Sequence, residues 1–220
     1  AEQKGTGHAV LQAMPGTPDD NQVLMLFGDV PLLRPETILN LLNSCGASGV
    51  GVLTVDLEDP FGYGRIIRKD GAVVKNVEER DASDEQKLIT EINTGVMCCP
   101  ANLLKGWLNQ LGNDNSQGEY YLTDVLGMAV RDGISVQGVK ADDQVEIMGI
   151  NDKRQLAEAE RALQLRLVNK LMDDGVTFAD PARADIRGEL HCGKDVFIDV
   201  NVIFEGDVAL GDNVRIASNN

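Results

Sequence analysis

Basic residues are scarce in this sequence: 20 Lys and Arg face 35 Asp and Glu, a formal net charge of −15. No stretch interleaves basic with aromatic side chains, so the chain lacks the positive footprint that a nucleic-acid partner requires. Long apolar runs are missing too; nothing approaches the roughly 18 uninterrupted apolar residues of a membrane span. The opening residues contain neither the basic segment nor the apolar stretch of a secretory leader, and a cytoplasmic protein is expected. Cysteine is sparse: Cys45, Cys98, Cys99 and Cys192 include no C-x-x-C pair, and two of them are adjacent. That spacing suits neither a zinc site nor a disulfide framework, so reduced, mostly buried thiols are expected.

What is present is a globular composition, 43% hydrophobic and 25% charged over 220 residues, with room for one large or two small domains. In residues 1–151, short apolar runs alternate with helical patterns. "QVLMLFGDV" reads as a strand, "RPETILNLLNSC" as a helix and "GVGVLTVDL" as a strand. "GRIIRKDGAVVKNVEE" reads as a hairpin turning at Asp70-Gly71, "EINTGVMCCP" as a strand, "LLKGWLNQL" as a helix, and "GEYYLTDVLGMAVRDG" as a helix ended by Gly133. This alternation indicates an α/β sheet.

Residues 152–176 repeat apolar positions at three- and four-residue intervals: Leu156, Ala159, Leu163, Leu167, Leu171 and Met172. The pattern predicts an amphipathic helix of about six turns, an arm with a solvated charged face. In residues 177–220 the period changes to six. Cys192, Ile198, Phe204, Leu210 and Ile216 form one series, and Val196, Val202, Val208 and Val214 a second. A hexapeptide period is the mark of a left-handed parallel β-helix, whose coil turns one apolar residue inward on each side. The repeat runs to the last residue after about two coils, fewer than the roughly three such solenoids need. The chain also opens without Met, and a sequence cut at both ends is expected.

The candidate chemistry begins at "GTGHA", a glycine turn running into a helix. Free backbone N–H groups at such a turn can meet a phosphate or carbonyl oxygen, although a plain tight turn with Thr6 as N-cap fits the same residues. Asp29 follows the strand "VLMLFGD", where α/β sheets collect ligands, and is placed either to hold a cation or to cap the next turn. Taken in order, "GTGHA", "LFGDVPLL", "GYGRI", "VEE", "EINTG", "GEYYLTD", "GIN" and the hexapeptide tail resemble one family along essentially the whole chain. It is the bacterial bifunctional N-acetylglucosamine-1-phosphate uridyltransferase/glucosamine-1-phosphate acetyltransferase.

The resemblance implies an incomplete Rossmann-like nucleotidyltransferase domain with a mixed sheet, a helical arm and the start of a left-handed parallel β-helix. It implies uridylyl transfer from UTP to N-acetylglucosamine-1-phosphate, giving UDP-N-acetylglucosamine, with Mg²⁺ as cofactor. By the family's pattern Gly5 and Thr6 touch the uracil nucleotide, and Phe27, Gly28 and Asp29 follow it, Asp29 as metal ligand. Phe27 stands where the family commonly has Tyr and forgoes that hydroxyl. Gly64, Glu78 and Asn93 would contact the amino-sugar, and Asn151 would be the second metal ligand. Without the family, Glu78 reads as a surface acid, Asn93 as a turn former and Asn151 as the N-cap of the arm helix. Glu119, Tyr120, Tyr121 and Asp124 read as a structural helix start, His8 as a helix-start hydrogen bonder, and His191 as exposed.

In the family a strand, a Gly-rich basic loop and a base-reading glutamine precede the matching stretch; none of them is in these 220 residues, and Lys4 and Arg65 are no evident substitute. The acetyltransferase sites lie on later coils, between subunits of a homotrimer, so neither acetyl transfer nor a strong trimer is expected here. Two other readings stay open: a catalytically inert UDP-sugar-binding or assembly segment, and a different sugar-phosphate nucleotidyltransferase such as a thymidylyl- or adenylyltransferase.

Overall fold

The computed structural model describes residues 3–220 and separates into two compact units, one reaching to Met148 and the other running from Gly149 to Asn220. Among the described residues no helix is long and apolar enough to cross a membrane.

The first unit follows the order α1 (Thr6–Ala13), β1 (Gln22–Met25), α2 (Pro35–Cys45), β2 (Val50–Asp56), β3 (Arg65–Lys69), β4 (Ala72–Val77), α3 (Asp84–Lys87), β5 (Glu91–Pro100), α4 (Ala101–Leu108), α5 (Asp124–Arg131) and β6 (Val136–Lys140). One mixed sheet runs β4-β3-β5-β2-β6, with β1 also paired to β5. β5 is antiparallel to β1, β2 and β3, whereas β2 and β6 are parallel. Strands at the centre are covered on both faces, which is why β2 and β5 read as nearly continuous apolar runs. Val50, Val52, Met97 and Cys99 pack with Leu104, Trp107, Val125 and Leu126 of α4 and α5. Leu53, Val55, Val96 and Cys98 face the other way, against Leu41 and Cys45 of α2. All four cysteines are reduced; three are buried and Cys192 is half-buried.

The hairpin turns as its sequence implies. Asp70 (φ 51°) and Gly71 (φ 83°) both take positive φ, the requirement of a two-residue turn matched to strand twist. Two other expectations are corrected. Thr6 is not the cap of α1: Gly5 is the N-cap, and Thr6 is the first helical residue, its hydroxyl accepting from Leu122 N–H at 3.2 Å. The helix expected from "GEYYLTD" starts at Asp124, because the preceding residues pair with the chain near its beginning. Tyr120 N–H donates to Lys4 C=O at 2.9 Å and Gly7 N–H to Tyr120 C=O at 2.8 Å.

The second unit contains α6 (Lys153–Asp173), β7 (Thr177–Phe178), β8 (Ala184–Cys192), β9 (Phe197–Ile198), β10 (Val202–Leu210) and β11 (Arg215–Ile216). Asp152, not Asn151, caps α6, accepting from the N–H groups of Arg154 and Gln155 while Gln155 reaches back. β10 pairs in parallel with β8, and β11 with β9, each residue opposite the one 18 positions earlier. Val196, Ile198, Val202 and Phe204 of the two hexapeptide series are buried together. On α6 the half-buried Leu163, Leu167, Leu171 and Met172 follow the predicted stripe, while Leu156 is exposed. Buried Gln164 is an unforeseen member of that face. It accepts from Ile186 N–H at 2.7 Å and donates to Ile186 C=O at 3.0 Å, tying helix to strand.

Candidate active site

Backbone contacts that only glycine permits assemble the site. Gly5 lies at φ 99°, and a Cβ there would fall 2.8 Å from Tyr120 O, so the two backbones meet only because this position is bare. That meeting brings Thr6 beside Leu122 and Thr123. Gly95 bends β5 at φ 84°, and the Phe27 ring occupies the space its Cβ would need. Gly64 C=O accepts from Asn93 N–H at 2.9 Å, joining the "GYGRI" segment to β5.

These contacts enclose a pocket of about 260 Å³ lined by Thr6, Phe27, Gly64, Glu78 and Asn93, together with Tyr63, Gly95, Glu119, Tyr121 and Thr123. Asn93 is buried, and its Oδ1 accepts from Gly95 N–H at 2.8 Å, which commits the oxygen locally and leaves the Nδ2 donors as what it offers a ligand. Glu78 is half-buried rather than a surface acid. Its Oε1 accepts from Asn76 Nδ2 at 2.7 Å and from Thr123 Oγ1 at 2.8 Å, so the carboxylate is oriented before any ligand arrives. Burial, then the neighbouring Glu78 and Asp81 charges, raise the Asp124 carboxyl above its ordinary range. The lining contains two carboxylates, Glu78 and Glu119, and neither Lys nor Arg. Such a wall suits a neutral polyhydroxy group that donates hydrogen bonds and repels a phosphate.

The remaining predicted residues stand elsewhere. Gly5 supports the pocket from behind through its contact with Tyr120. Gly28 and Asp29 are exposed in the turn after β1, beyond the strand rather than at its end; β1 stops at Met25, where its pairing with β5 stops, and the Phe27 ring then seats on Gly95. Asn151 is exposed in the second unit, its N–H donating to Gln155 Oε1 at 2.6 Å. Among the described residues no group of three or more His, Cys, Asp or Glu could hold a metal ion. Asp29 offers a carboxylate in the first unit and Asn151 an amide oxygen in the second, each an oxygen donor of the hard kind.

Several contributors are not evident in the sequence. Asn76 is a buried polar residue inside an apolar strand pattern, and its Nδ2 fixes Glu78. Thr123 lies just before α5 and fixes the same oxygen. Two buried acids away from the pocket tie elements together, Glu146 holding the start of α2 and Glu91 joining β5 to β2 and β3. Glu146 accepts from Thr37 Oγ1 at 2.6 Å and pairs with Arg34, and Glu91 accepts from Thr54 at 2.8 Å and bidentately from Arg68. Burial alone would raise both carboxyls; the hydrogen bonds from Arg34 and Thr37, and from Arg68 and Thr54, outweigh it and hold them below the usual range.

No family model matches the chain. It is 52% identical over 214 residues to the bifunctional protein GlmU of Herminiimonas arsenicoxydans, covering 97% of this chain and 47% of that protein. The same-named proteins of Thiobacillus denitrificans and Methylococcus capsulatus are 50% and 52% identical over 219 and 220 residues, each covered to 48%. The chain thus spans about half the length of the curated relatives it matches. Among solved structures it resembles a Bacillus anthracis protein described as a glucose-1-phosphate thymidylyltransferase, solved in complex with sucrose. The TM-score is 0.51 at 16% identity, over 72% of this chain and 63% of that one, a likeness of fold.

Proposed function

The chain belongs to the family of bifunctional GlmU proteins, and from that premise we propose that it transfers a uridylyl group from UTP to N-acetylglucosamine-1-phosphate. The observation that carries the reading is the pocket wall: oriented Glu78, the Asn93 amide and bare Gly64 converge on a space with acceptors and donors but no cation. A neutral amino-sugar ring fits that chemistry, with Glu78 accepting from its hydroxyls, Asn93 donating to it and Gly64 allowing close backbone approach. Gly5 and Thr6 are assigned to the uracil nucleotide. Phe27, Gly28 and Asp29 are assigned to the same nucleotide, with Phe27 contributing an apolar ring only.

In the reaction, an oxygen of the sugar-1-phosphate attacks the α-phosphorus of UTP in line. The new P–O bond forms as the bond to the β-phosphate oxygen breaks, and pyrophosphate leaves with the electron pair. The attacking phosphate is already ionised, so no side chain has to remove a proton. The contribution of this chain is to hold the sugar so that its phosphate points at the nucleotide. Asp29 and Asn151 are the residues that would hold Mg²⁺, which when bound neutralises charge on the phosphates.

For the second unit, the 18-residue offset of its parallel strands supports the start of a left-handed β-helix, three hexapeptides to a coil. The division into residues 1–151, the helix 152–176 and the coils 177–220 belongs to the same proposal, with a homotrimer expected of the family's complete β-helix and at most weakly of these coils.

The test is pyrophosphate release from UTP and N-acetylglucosamine-1-phosphate with Mg²⁺, on this chain alone and preceded by the Gly-rich loop that the resemblance implies. Release by the loop-bearing protein supports the reading. A folded loop-bearing protein that releases none refutes it, and release with dTTP or ATP in place of UTP reassigns the base.

A further inference from the structure

Arg65 is the buried cation nearest the sugar pocket, yet it is not among the residues that line it. Its side chain is 2% exposed, and its guanidinium reaches three segments at once. Nη2 pairs with Glu79 at 2.7 Å and approaches Lys87 C=O, at the end of α3, at 3.5 Å, while Nη1 donates to Tyr63 C=O. Glu79, 18% exposed, also accepts from Gly62 N–H at 3.4 Å. Nε is buried without a partner, so the group is held for its two terminal nitrogens rather than for a full set of hydrogen bonds.

Gly62, Tyr63, Gly64 and Glu78 all line the pocket, and Gly64 and Glu78 both flank the end pair of the β3–β4 ladder, Arg65 opposite Val77. Arg65 follows Gly64 directly in the chain and Glu79 follows Glu78. Gly62 has φ 87° and open space around its α-carbon, so its N–H bond to Glu79 is what ties the tip of the loop to the rest of the unit, whereas Gly64 is already held against Asn76 and Asn93. Phe61, 76% exposed, adds no packing.

We propose that Arg65 and Glu79 are positioning residues whose ion pair holds the Gly62–Tyr63 segment against the Glu78 end of β4, and so sets how tightly the pocket grips the amino-sugar. This rests on the functional reading above. The charge of Arg65 is spent on Glu79, so it takes no part in neutralising the substrate phosphates, and its loss is felt in sugar binding rather than in the transfer step.

The test compares Arg65→Lys, Glu79→Gln and the double variant with the parent, using the loop-bearing protein, in steady-state kinetics and in amide hydrogen exchange of residues 60–66. Each single variant is expected to raise KM for N-acetylglucosamine-1-phosphate about tenfold, with kcat and KM for UTP within about twofold. The double variant is expected to be no worse than the poorer single one, and exchange at 60–66 to accelerate while β5 is unchanged. A purely structural role would instead lower the active fraction, and so kcat, with KM unmoved. An active parent with unchanged sugar KM in both single variants overturns the positioning role alone. A folded but inert parent overturns the functional reading, and unchanged exchange at 60–66 then overturns the clamp as well.

Discussion

Gly64→Ala is the substitution whose cost follows most directly from the geometry. The backbone at Gly64 is not in the positive-φ region, so alanine brings no backbone strain and the penalty is one of contact. The new methyl would sit 2.5 Å from Asn76 Oδ1, 2.7 Å from its Nδ2 and 3.0 Å from its Cγ. Asn76 is 8% exposed and cannot swing into solvent. To make room it must give up the bond from Nδ2 to Glu78. Overpacking costs about 1–3 kcal/mol, and a hydrogen bond to a charged group contributes about 1.5–3 kcal/mol. Partial relaxation makes the sum an upper bound, so about 3 kcal/mol is expected, or roughly 6–12 °C in Tm for a protein of this size. Adding Asn76→Ala removes the obstacle, and the cycle should show a coupling of about 1–3 kcal/mol between the two positions. Thermal unfolding followed by circular dichroism reads the stability, and calorimetric titration with UDP-N-acetylglucosamine reads the pocket. A Gly64→Ala protein as stable as the parent, or two substitutions that simply add, would refute the packing argument.

Three further outcomes are expected. The carboxyls of Glu146 and Glu91 titrate lower in the folded chain than their ordinary value of 4.5, so their stabilisation is complete above that pH and is lost as pH falls through the folded values. Glu146→Gln should cost about 2–3 kcal/mol at pH 7 and flatten the acid side of a urea-denaturation series, and an unchanged acid limb would contradict this. Burial, together with Cys45, pushes the Cys98 thiol up to about 12, and burial raises Cys99 and Cys192 as well. Mass spectrometry after brief alkylation of the native protein should therefore find the half-buried Cys192 modified first, and rapid loss of Cys98 or Cys99 would contradict the packing. Asp29→Asn and Asn151→Ala, both at exposed positions, should leave stability within about 0.5 kcal/mol. Pyrophosphate release should fall at least tenfold, and full activity in either variant removes that residue from the metal assignment.

The sequence discloses local structure where local chemistry decides it. Asp70-Gly71 can take the two positive φ values of a tight hairpin, and the apolar runs of β2 and β5 follow from burial on both faces. It misleads where tertiary pairing decides. Glu119–Leu122 has a helix-like pattern yet forms no helix because Lys4 and Gly7 pair with Tyr120, which also takes the Thr6 hydroxyl from its expected capping role. The site is visible for the same reason only in part. Thr6, Phe27, Gly64, Glu78 and Asn93 meet in one pocket although no local pattern links them; the order of the pieces along a known family did. Asn76 and Thr123, which orient Glu78, carry no periodic or motif signal, since a buried asparagine in a strand is recognisable only once its neighbour is known.

The central claim is that this pocket grips the amino-sugar of UDP-N-acetylglucosamine, and saturation-transfer NMR with that ligand tests it directly. Strongest transfer is expected to the sugar-ring and acetyl protons, lost in folded Glu78→Ala and Asn93→Ala proteins. Transfer confined to the uridine protons, or sugar signals unchanged in both variants, would contradict it.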